Sequence, residues 1–221
     1  MRRWNLILFV PIFILFHGCA EDPWQAVPDF EVAEFRCPVP GGKFLEDSNF
    51  MTSWSLLGPL DPGKTPSIHT EYVPEESLLN GNRNAPRGTR WCRITVRNDD
   101  SQTLPGQVNF SDRFSRHSRS RKQNVFYACA TLKCDRDYSG LTMLVSSCGL
   151  LKVWINGRSV YSCELGTEDF KPDRANIGDL MLRKGYNRIV VKYMDDGNNA
   201  HERRNFSLRF TDAAGNLSTV R

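Results

Sequence analysis

The sequence predicts an all-β protein built as an antiparallel β-sandwich. About nine short segments alternate apolar and polar side chains with the period of two that a half-buried strand requires. Turn signals recur between them at roughly 8–12-residue spacing, which is typical of sandwiches. No segment keeps a helical period beyond a turn or two, and residues 75–79 are the best candidate for one short helical turn.

The first half of the chain holds two predicted strands separated by long polar connections. SWSLLGPL (53–60) reads as a strand that closes on a Gly-Pro pair, and WCRITV (91–96) is rich in residues that favour strands. A Pro/Gly-rich stretch separates them over 61–88. A second polar stretch follows over 98–122.

The second half holds strands in quick succession. NVFYACATLKC (124–134) alternates, with Phe126, Ala128, Ala130 and Leu132 expected on one face and Val125, Tyr127, Cys129 and Thr131 on the other. GLTMLVSSCG (140–149) is a further strand, and NFSLRFTD closes the series with Phe206, Leu208 and Phe210 in alternation. DLMLRKGYNRIVVKYM (179–194) is predicted to be a strand pair that turns at Lys184-Gly185.

Trp154 lies in the predicted hairpin KVWINGRSVY, whose turn is Asn156-Gly157. Asn-Gly favours a type I′ turn because both central residues need a positive φ. Leu151, Val153 and Ile155 form the core face, so Trp154 belongs to the opposite face. We expect Trp154 to cover that second face of its sheet; the alternatives are a stacking platform for a ligand and a contact with a partner chain.

The two hairpins together resemble the galactose-binding-like jelly-roll domain, which is similar to the sugar-binding domain of β-galactosidase and β-glucuronidase type glycoside hydrolases. A W-x-N-G hairpin followed by an L-x-x-G-x-N hairpin carries the likeness. The matching residues are Trp154, Asn156 and Gly157, then Leu182, Gly185 and Asn187. The resemblance covers roughly residues 50–215, gives these residues scaffold roles, and implies that ligands bind on loops at one end of the sandwich.

The N-terminus reads as an export signal over residues 1–18, followed by a Pro/Gly-rich lead-in over 19–50 and the sandwich over 51–221. Phe16-His17-Gly18-Cys19 resembles a bacterial lipobox, which implies cleavage before Cys19, palmitate-type acylation there and a lipoprotein held at the membrane. Ordinary cleavage after Ala20, which would give a secreted chain, remains the alternative.

Six cysteines remain once Cys19 is set aside. An even number in an exported chain predicts at least one disulfide bond, and the alternative is that they are small buried apolar residues. No pair shows a metal-site spacing.

Charge gives little support to nucleic-acid binding. The formal net charge is +4, and removal of Arg2 and Arg3 with the signal brings the mature chain close to neutrality. A local basic run surrounds His117 and is expected to be a solvated loop; the alternative is a grip on an acidic glycan, a phospholipid surface or a nucleic acid, which its arginine forks suit. We expect any ligand contacts from Trp91, Tyr161 and this run, which contains Arg113, Arg116, Arg119 and Arg121.

No catalytic constellation is evident. The acidic residues over 164–179 are expected to be a solvated loop rather than paired glycosidase carboxylates, and no histidine spacing suits zinc. The oxygen-rich stretch 195–199 is expected to be a polar hairpin loop and no cofactor is expected; a structural calcium ion, which needs such oxygen ligands, is the alternative.

Two functions fit these features. The first is an exported, lipid-anchored, non-catalytic module of the cell envelope that binds carbohydrate or a surface partner. The second is a structural or interaction subunit of an envelope complex that has no sugar site. An enzyme is disfavoured because the sequence offers no site for one.

Overall fold

A computed structural model describes most of the chain. It covers residue 30 and residues 32–37, 50–87, 89–96, 106–114, 123–167, 169–196, 204–216 and 218–220, the last two by their backbone alone. The expected signal peptide, Cys19, Arg116, Arg119 and Arg121 lie outside these ranges.

The secondary structure is almost entirely strands, as the alternation predicts. Two short helices interrupt them, α1 (Glu75–Leu79) and α2 (Ser111–Phe114), and α1 confirms the predicted helical turn. Within the described ranges, no helix has the length and apolar character needed to cross a membrane. The strands are β1 (Val32–Arg36), β2 (Ser53–Leu60), β3 (Arg90–Thr95), β4 (Val108–Asn109), β5 (Val125–Cys134), β6 (Tyr138–Ser147), β7 (Leu150–Ile155), β8 (Arg158–Cys163), β9 (Ala175–Leu182), β10 (Gly185–Met194), β11 (Asn205–Thr211) and β12 (Thr219–Val220).

These strands form two sheets, so the predicted all-β sandwich is confirmed. The larger sheet runs β3-β2-β5-β10-β7-β8, and β1 with β12 continues it beyond the other half of β5. The smaller sheet has the order β4-β11-β6-β9. Every pair is antiparallel except β1 with β5, which run parallel.

The main core fills the space between the sheets. Phe126, Ala128, Ala130 and Leu132 of β5 face this core, as the alternation predicts. The smaller sheet contributes buried rings from β11, and Phe206 lies 5.1 Å from Trp54, centroid to centroid. Burying these apolar surfaces is the main force that holds the two sheets together.

A second apolar cluster covers the outer face of the larger sheet. Trp154 is 5% exposed there, beside Tyr127, under the connection between β2 and β3. Lys192 is fully buried in the same cluster, where its Nζ lies 2.5 Å from a Glu75 carboxylate oxygen. Trp154 is therefore a covered sheet residue and offers no open platform for a ligand.

One predicted hairpin is wrong. β7 and β8 pair across Asn156-Gly157 as expected. In contrast, β9 pairs with β6 in the smaller sheet, while β10 pairs with β5 and β7 in the larger one. The turn at Lys184-Gly185 therefore carries the chain from one sheet to the other, because both strands bury an apolar face in the core between them.

The predicted lead-in contributes to the sheet. Within residues 19–50, β1 pairs with β5 over Val32 to Phe35, and Phe35 is fully buried beside Tyr138 and Phe210. The surrounding prolines and glycines conceal this strand in the sequence.

The predicted disulfide is not formed among the described cysteines, which are all free thiols. Strand alternation explains part of this. Cys92 of β3 packs against the main core, whereas Cys129 of β5 lies in the outer cluster on the opposite face. Burial raises the pKa of Cys37 to about 11 and that of Cys134 to about 12, so these thiols behave as small apolar residues.

Candidate functional site

Two of the predicted ligand residues, Trp91 and Tyr161, lie far apart in the structure. Trp91 and Tyr161 lie on β3 and β8, the two opposite edges of the larger sheet, which places them about 24 Å apart at the usual strand spacing. Their side chains also face different clusters: Trp91 packs on the outer cluster and Tyr161 on the main core. Arg113 belongs to α2, and its carbonyl oxygen accepts a hydrogen bond from Arg90 at 3.2 Å.

Trp91 and Tyr161 are both engaged in the fold. The Trp91 indole N–H donates to the carbonyl oxygen of Arg83 at 2.8 Å, and its ring lies 5.2 Å from that of Phe30. Burial, followed by a hydrogen bond with Cys163, raises the pKa of Tyr161 to about 12. Both rings are half-buried, each packed on one side against an apolar cluster.

The scaffold residues of the two motifs contact each other directly. Asn156 Nδ2 donates to Asn187 Oδ1 at 2.8 Å, and Arg188 N donates to Asn156 Oδ1 at 2.9 Å. Asn187 is fully buried, and its side chain makes two further bonds to the backbone of Arg183. Arg183 N donates to Asn187 Oδ1, and Asn187 Nδ2 donates to the carbonyl oxygen of Arg183. The Asn-Gly turn of the β7–β8 pair is thus hydrogen-bonded to the start of β10.

The outer face of the smaller sheet carries a groove of about 330 Å³, lined by both apolar and polar side chains. Its floor is a row of three residues in register, because Asn176 of β9 pairs with Leu144 of β6 and Leu144 pairs with Arg209 of β11. This row spans two strand spacings, or about 10 Å. We call this surface the sheet groove; it is lined by Thr142, Leu144, Asn176, Arg209, Thr211, Asp212, Ala213 and Gly215.

Arg209 is held in a fixed position at one end of this row. Its Nε donates to Asp173 Oδ1 at 2.9 Å, and its Nη2 pairs with the other oxygen of that carboxylate. Its guanidinium carbon lies 4.5 Å from the centroid of the Phe50 ring, which stacks against it. The guanidinium is therefore oriented before any ligand arrives, and its charge is matched by Asp173.

Asp212 begins the turn that forms one wall of the groove. Asn216 donates to its carboxylate from both the side chain and the backbone, and Ala214 N adds a third bond, all between 2.8 and 2.9 Å. These bonds, with the Asn216 side chain first, hold the pKa of Asp212 below its usual range. The carboxylate is stabilised by neutral donors, so it keeps its negative charge near neutral pH.

The acidic residues of the sequence have separate roles in the structure. Asp173, predicted as part of a solvated loop, is the partner of Arg209 instead. Asp195, from the candidate calcium stretch, is buried and accepts from Arg204 Nε at 3.0 and 3.1 Å. Burial raises its pKa despite the arginine. Residues 197–199 of that stretch are outside the described ranges, and the described residues contain no group of three or more His, Cys, Asp or Glu placed to hold a metal ion.

Sequence reasoning missed the sheet groove. Its floor comes from three strands, and in each the residue concerned is simply the outward-facing member of an alternating run. One signal was available: Arg209 stands between Leu208 and Phe210, so the alternation places its charged side chain on the outer face of its sheet. The sequence does not show that Asp173 and Phe50 supply both.

No protein-family model matches the chain, and no curated protein matches it either. Among solved structures, a β-glucosidase from Kluyveromyces marxianus in complex with glucose superposes on 76% of this chain at 13% identity, with a TM-score of 0.40. The PA14 domain of the antifreeze protein MpAFP superposes on 85% of this chain and 88% of its own length, at 13% identity and a TM-score of 0.28. The chain spans 18% of the length of the β-glucosidase.

Proposed function

We propose that this chain is a non-catalytic β-sandwich module that binds carbohydrate in the sheet groove. The observation that carries the proposal is the row of Asn176, Leu144 and Arg209 across three adjacent strands, with Thr142 and Thr211 paired in the next row. Side chains fixed on strands hold their positions better than side chains on loops, which suits a binding site.

The chemistry of the groove matches what a sugar presents. An amide and hydroxyls can exchange hydrogen bonds with sugar hydroxyls, while Leu144 offers an apolar contact for a C–H face. The groove volume of about 330 Å³ lies at the lower end of the range for ligand sites. The resemblance of the two hairpin motifs to sugar-binding domains also points to carbohydrate as the ligand, although it implies binding on loops at one end of the sandwich and not on the face of a sheet.

Catalysis finds no support in this groove. A glycosidase needs two carboxyl groups, one of which keeps its proton near neutral pH. The pKa of Asp212 is lowered instead, and both oxygens of Asp173 are engaged by Arg209. This favours binding without turnover.

The proposal includes the location expected from the sequence. The chain is exported and held at the cell envelope through acyl chains on Cys19. The intact mass of the protein isolated from the membrane fraction tests this. A mass that corresponds to cleavage before Cys19 plus acyl chains supports the anchor, and an unmodified chain that starts at Glu21 removes it.

The binding proposal is tested on a glycan array, followed by calorimetry with the glycans that bind. Asn176→Ala and Thr142→Ala should each weaken binding by about tenfold, since each removes one hydrogen bond to the ligand. The matched controls are Asn84→Ala and Thr65→Ala, at exposed positions in the connection between β2 and β3, and they should bind as the wild type does.

Two outcomes would overturn the proposal. One is that no polysaccharide binds; the other is that groove and control variants bind equally. Recovery of a stoichiometric protein partner from membranes, together with an absence of glycan binding, would favour the interaction subunit instead.

A further inference from the structure

The charges of the sheet groove restrict the class of glycan that it accepts. Two charged side chains line the groove among the described residues, Arg209 and Asp212. An acidic ligand is one of the alternatives that the sequence offers for the arginines of the basic run. The groove gives the opposite indication, because its arginine is already paired.

The positive charge of Arg209 is matched locally. Both oxygens of Asp173 face its guanidinium, and the side chains of the pair are 13% and 24% exposed. A carboxylate or sulfate on a ligand would have to compete with a partner that is already in place and well aligned. Such a bidentate pair is among the strongest that side chains form.

Among the residues that the structure describes, the negative charge of Asp212 has no such ion-pair partner. Its three hydrogen bonds come from Asn216 and Ala214, which are neutral donors. The groove therefore carries a net negative charge, contributed by the carboxylate of its wall. An anionic ligand would be repelled at close range, and it would also displace water from a charged group without compensation.

We propose that the sheet groove binds neutral glycans and discriminates against uronic-acid and sulfated ones, with Asp212 as the residue that sets this specificity. The inference rests on the proposed carbohydrate-binding function and narrows it to a substrate class. Asn176 and Thr142 supply hydrogen bonds to hydroxyls, and the Asp173–Arg209 pair keeps the floor electrically neutral.

The test compares neutral glycans with their carboxylated or sulfated counterparts on one array, at low and high salt, with the full chain. We expect the neutral member of each pair to be preferred. Asp212→Asn should raise binding to the acidic members by about fivefold at low salt, the factor expected for removing one like charge at a few ångströms in water. The gain should disappear in 1 M salt because screening removes the repulsion.

Asp61→Asn is the matched control. Asp61 also accepts a backbone N–H, that of Gly63 at 2.9 Å, in an exposed turn, but it lies outside the groove. This variant should leave the ratio of neutral to acidic binding unchanged. Circular dichroism of both variants confirms that a change in the ratio does not come from unfolding.

The outcomes separate the two proposals. Binding confined to acidic glycans would overturn the specificity while the carbohydrate function stands. A neutral preference that Asp212→Asn does not alter would overturn the role of Asp212. Binding to no glycan would overturn the carbohydrate function and the specificity together.

Discussion

Asn156 and Asn187 are hydrogen-bonded to each other, side chain to side chain, at 2.8 Å, although 31 residues separate them in the chain. Asn156 has a φ of 50°, which asparagine tolerates better than most residues. Its amide links the β7–β8 turn to Asn187, which is buried at the start of β10. Two short motifs that read separately in the sequence are therefore one hydrogen-bonded unit in the fold.

Breaking this unit should destabilise the whole domain. Asn187→Ala should lower the free energy of unfolding by about 2–4 kcal/mol, because it removes a buried amide that bonds the carbonyl oxygens of Arg183 and Gly185 and the sulfur of Cys134. Asn156→Gly keeps the positive φ and removes only the side chain, so a smaller loss of about 1–2 kcal/mol is expected. Urea unfolding of both variants measures these losses.

The double variant tests whether the two residues act together. Coupling of about 1 kcal/mol between the two substitutions is expected for residues in direct contact. Strictly additive losses would show that the Asn156–Asn187 bond contributes nothing of its own. Asn84→Ala, at an exposed turn position, is the control and should change stability by less than about 0.5 kcal/mol.

Gly106 supports the residue under Arg209. A Cβ at Gly106 would lie 2.1 Å from Cγ of Phe50, and its φ of +67° already disfavours other residues. Gly106→Ala should therefore cost about 2–4 kcal/mol and displace the Phe50 ring from Arg209. The midpoint temperature of thermal unfolding and the affinity for any bound glycan should both fall.

Gly63→Ala separates backbone strain from contact. Gly63 has a similar φ of +73°, but nothing lies within 4 Å of a Cβ placed there. Gly63→Ala should lower the free energy of unfolding by about 1 kcal/mol, as expected from the backbone conformation alone. Equal losses at the two glycines would contradict a specific role for the contact with Phe50.

Thiol reactivity should divide the cysteines into two groups. Cys92 and Cys163 are half-buried, whereas the remaining thiols of the fold are buried. In a chain carrying Cys19→Ser, Ellman's reagent at pH 8 should modify Cys92 and Cys163 first. The pKa values of Cys37 and Cys134, about 11 and about 12, keep them in the unreactive thiol form at that pH.

Full modification should require unfolding. Six reactive thiols in guanidinium chloride would agree with the reduced cysteines of the structure. A smaller number that rises after treatment with a reductant would show disulfides and contradict them.

Lys192 fixes the connection between β2 and β3 onto the larger sheet. Its ammonium donates to the carbonyl oxygens of Ile68 and Thr70, both at 2.8 Å, and pairs with Glu75. Lys192→Met should leave the buried Ile68 carbonyl and the Glu75 carboxylate without their cation, with a loss of about 2–4 kcal/mol. Limited proteolysis should then cut within residues 61–81 at protease concentrations that leave the wild type intact.

A solvated lysine serves as the comparison for this prediction. Lys133 pairs with Glu34 at 3.2 Å, and both side chains are about half exposed. Lys133→Met should change stability by less than about 1 kcal/mol. Similar proteolysis of the two variants would refute the anchoring role of Lys192.

Asp173 should also influence the preference of the sheet groove for neutral over acidic glycans. Asp173→Asn keeps an acceptor for Arg209 Nε, and asparagine tolerates the φ of 59° at this position. The charge of Arg209 is then unmatched, so binding of acidic glycans should rise relative to neutral ones. Asp179→Asn, at a φ of 56° outside the groove, is the control on the glycan array and should have no effect.

The alternation in β5 shows what the sequence predicts well. Phe126, Ala128 and Leu132 face the main core and Tyr127 the outer cluster, because a strand with a period of two has no other way to bury both sets. The same reasoning places Trp154 correctly. Local pattern decides the face of each residue wherever both faces are covered.

Which strands pair with each other is harder to predict from the sequence. The turn at Lys184-Gly185 is the same whether its flanking strands bond to each other or pass to different sheets, since turn chemistry is local and sheet membership depends on the whole core. The groove was missed for a related reason. Asn176 and Arg209 meet only through the register of β6 with its two neighbours, and no local pattern encodes that register.

The parallel pairing of β1 with β5 has a mechanical consequence. Residues 32–35 lie alongside residues 131–134, so a pull on the chain ahead of Val32, directed along the strand, loads these hydrogen bonds simultaneously. Bonds loaded in shear break together, whereas bonds at the end of a hairpin unzip one after another. β12 lies on the other side of β1 and adds a second set of bonds. When the chain is pulled at residue 32, β1 should therefore resist detachment through both sets of hydrogen bonds at once. The force needed to detach β1 is then the largest force that the chain before residue 32 can exert on the sandwich.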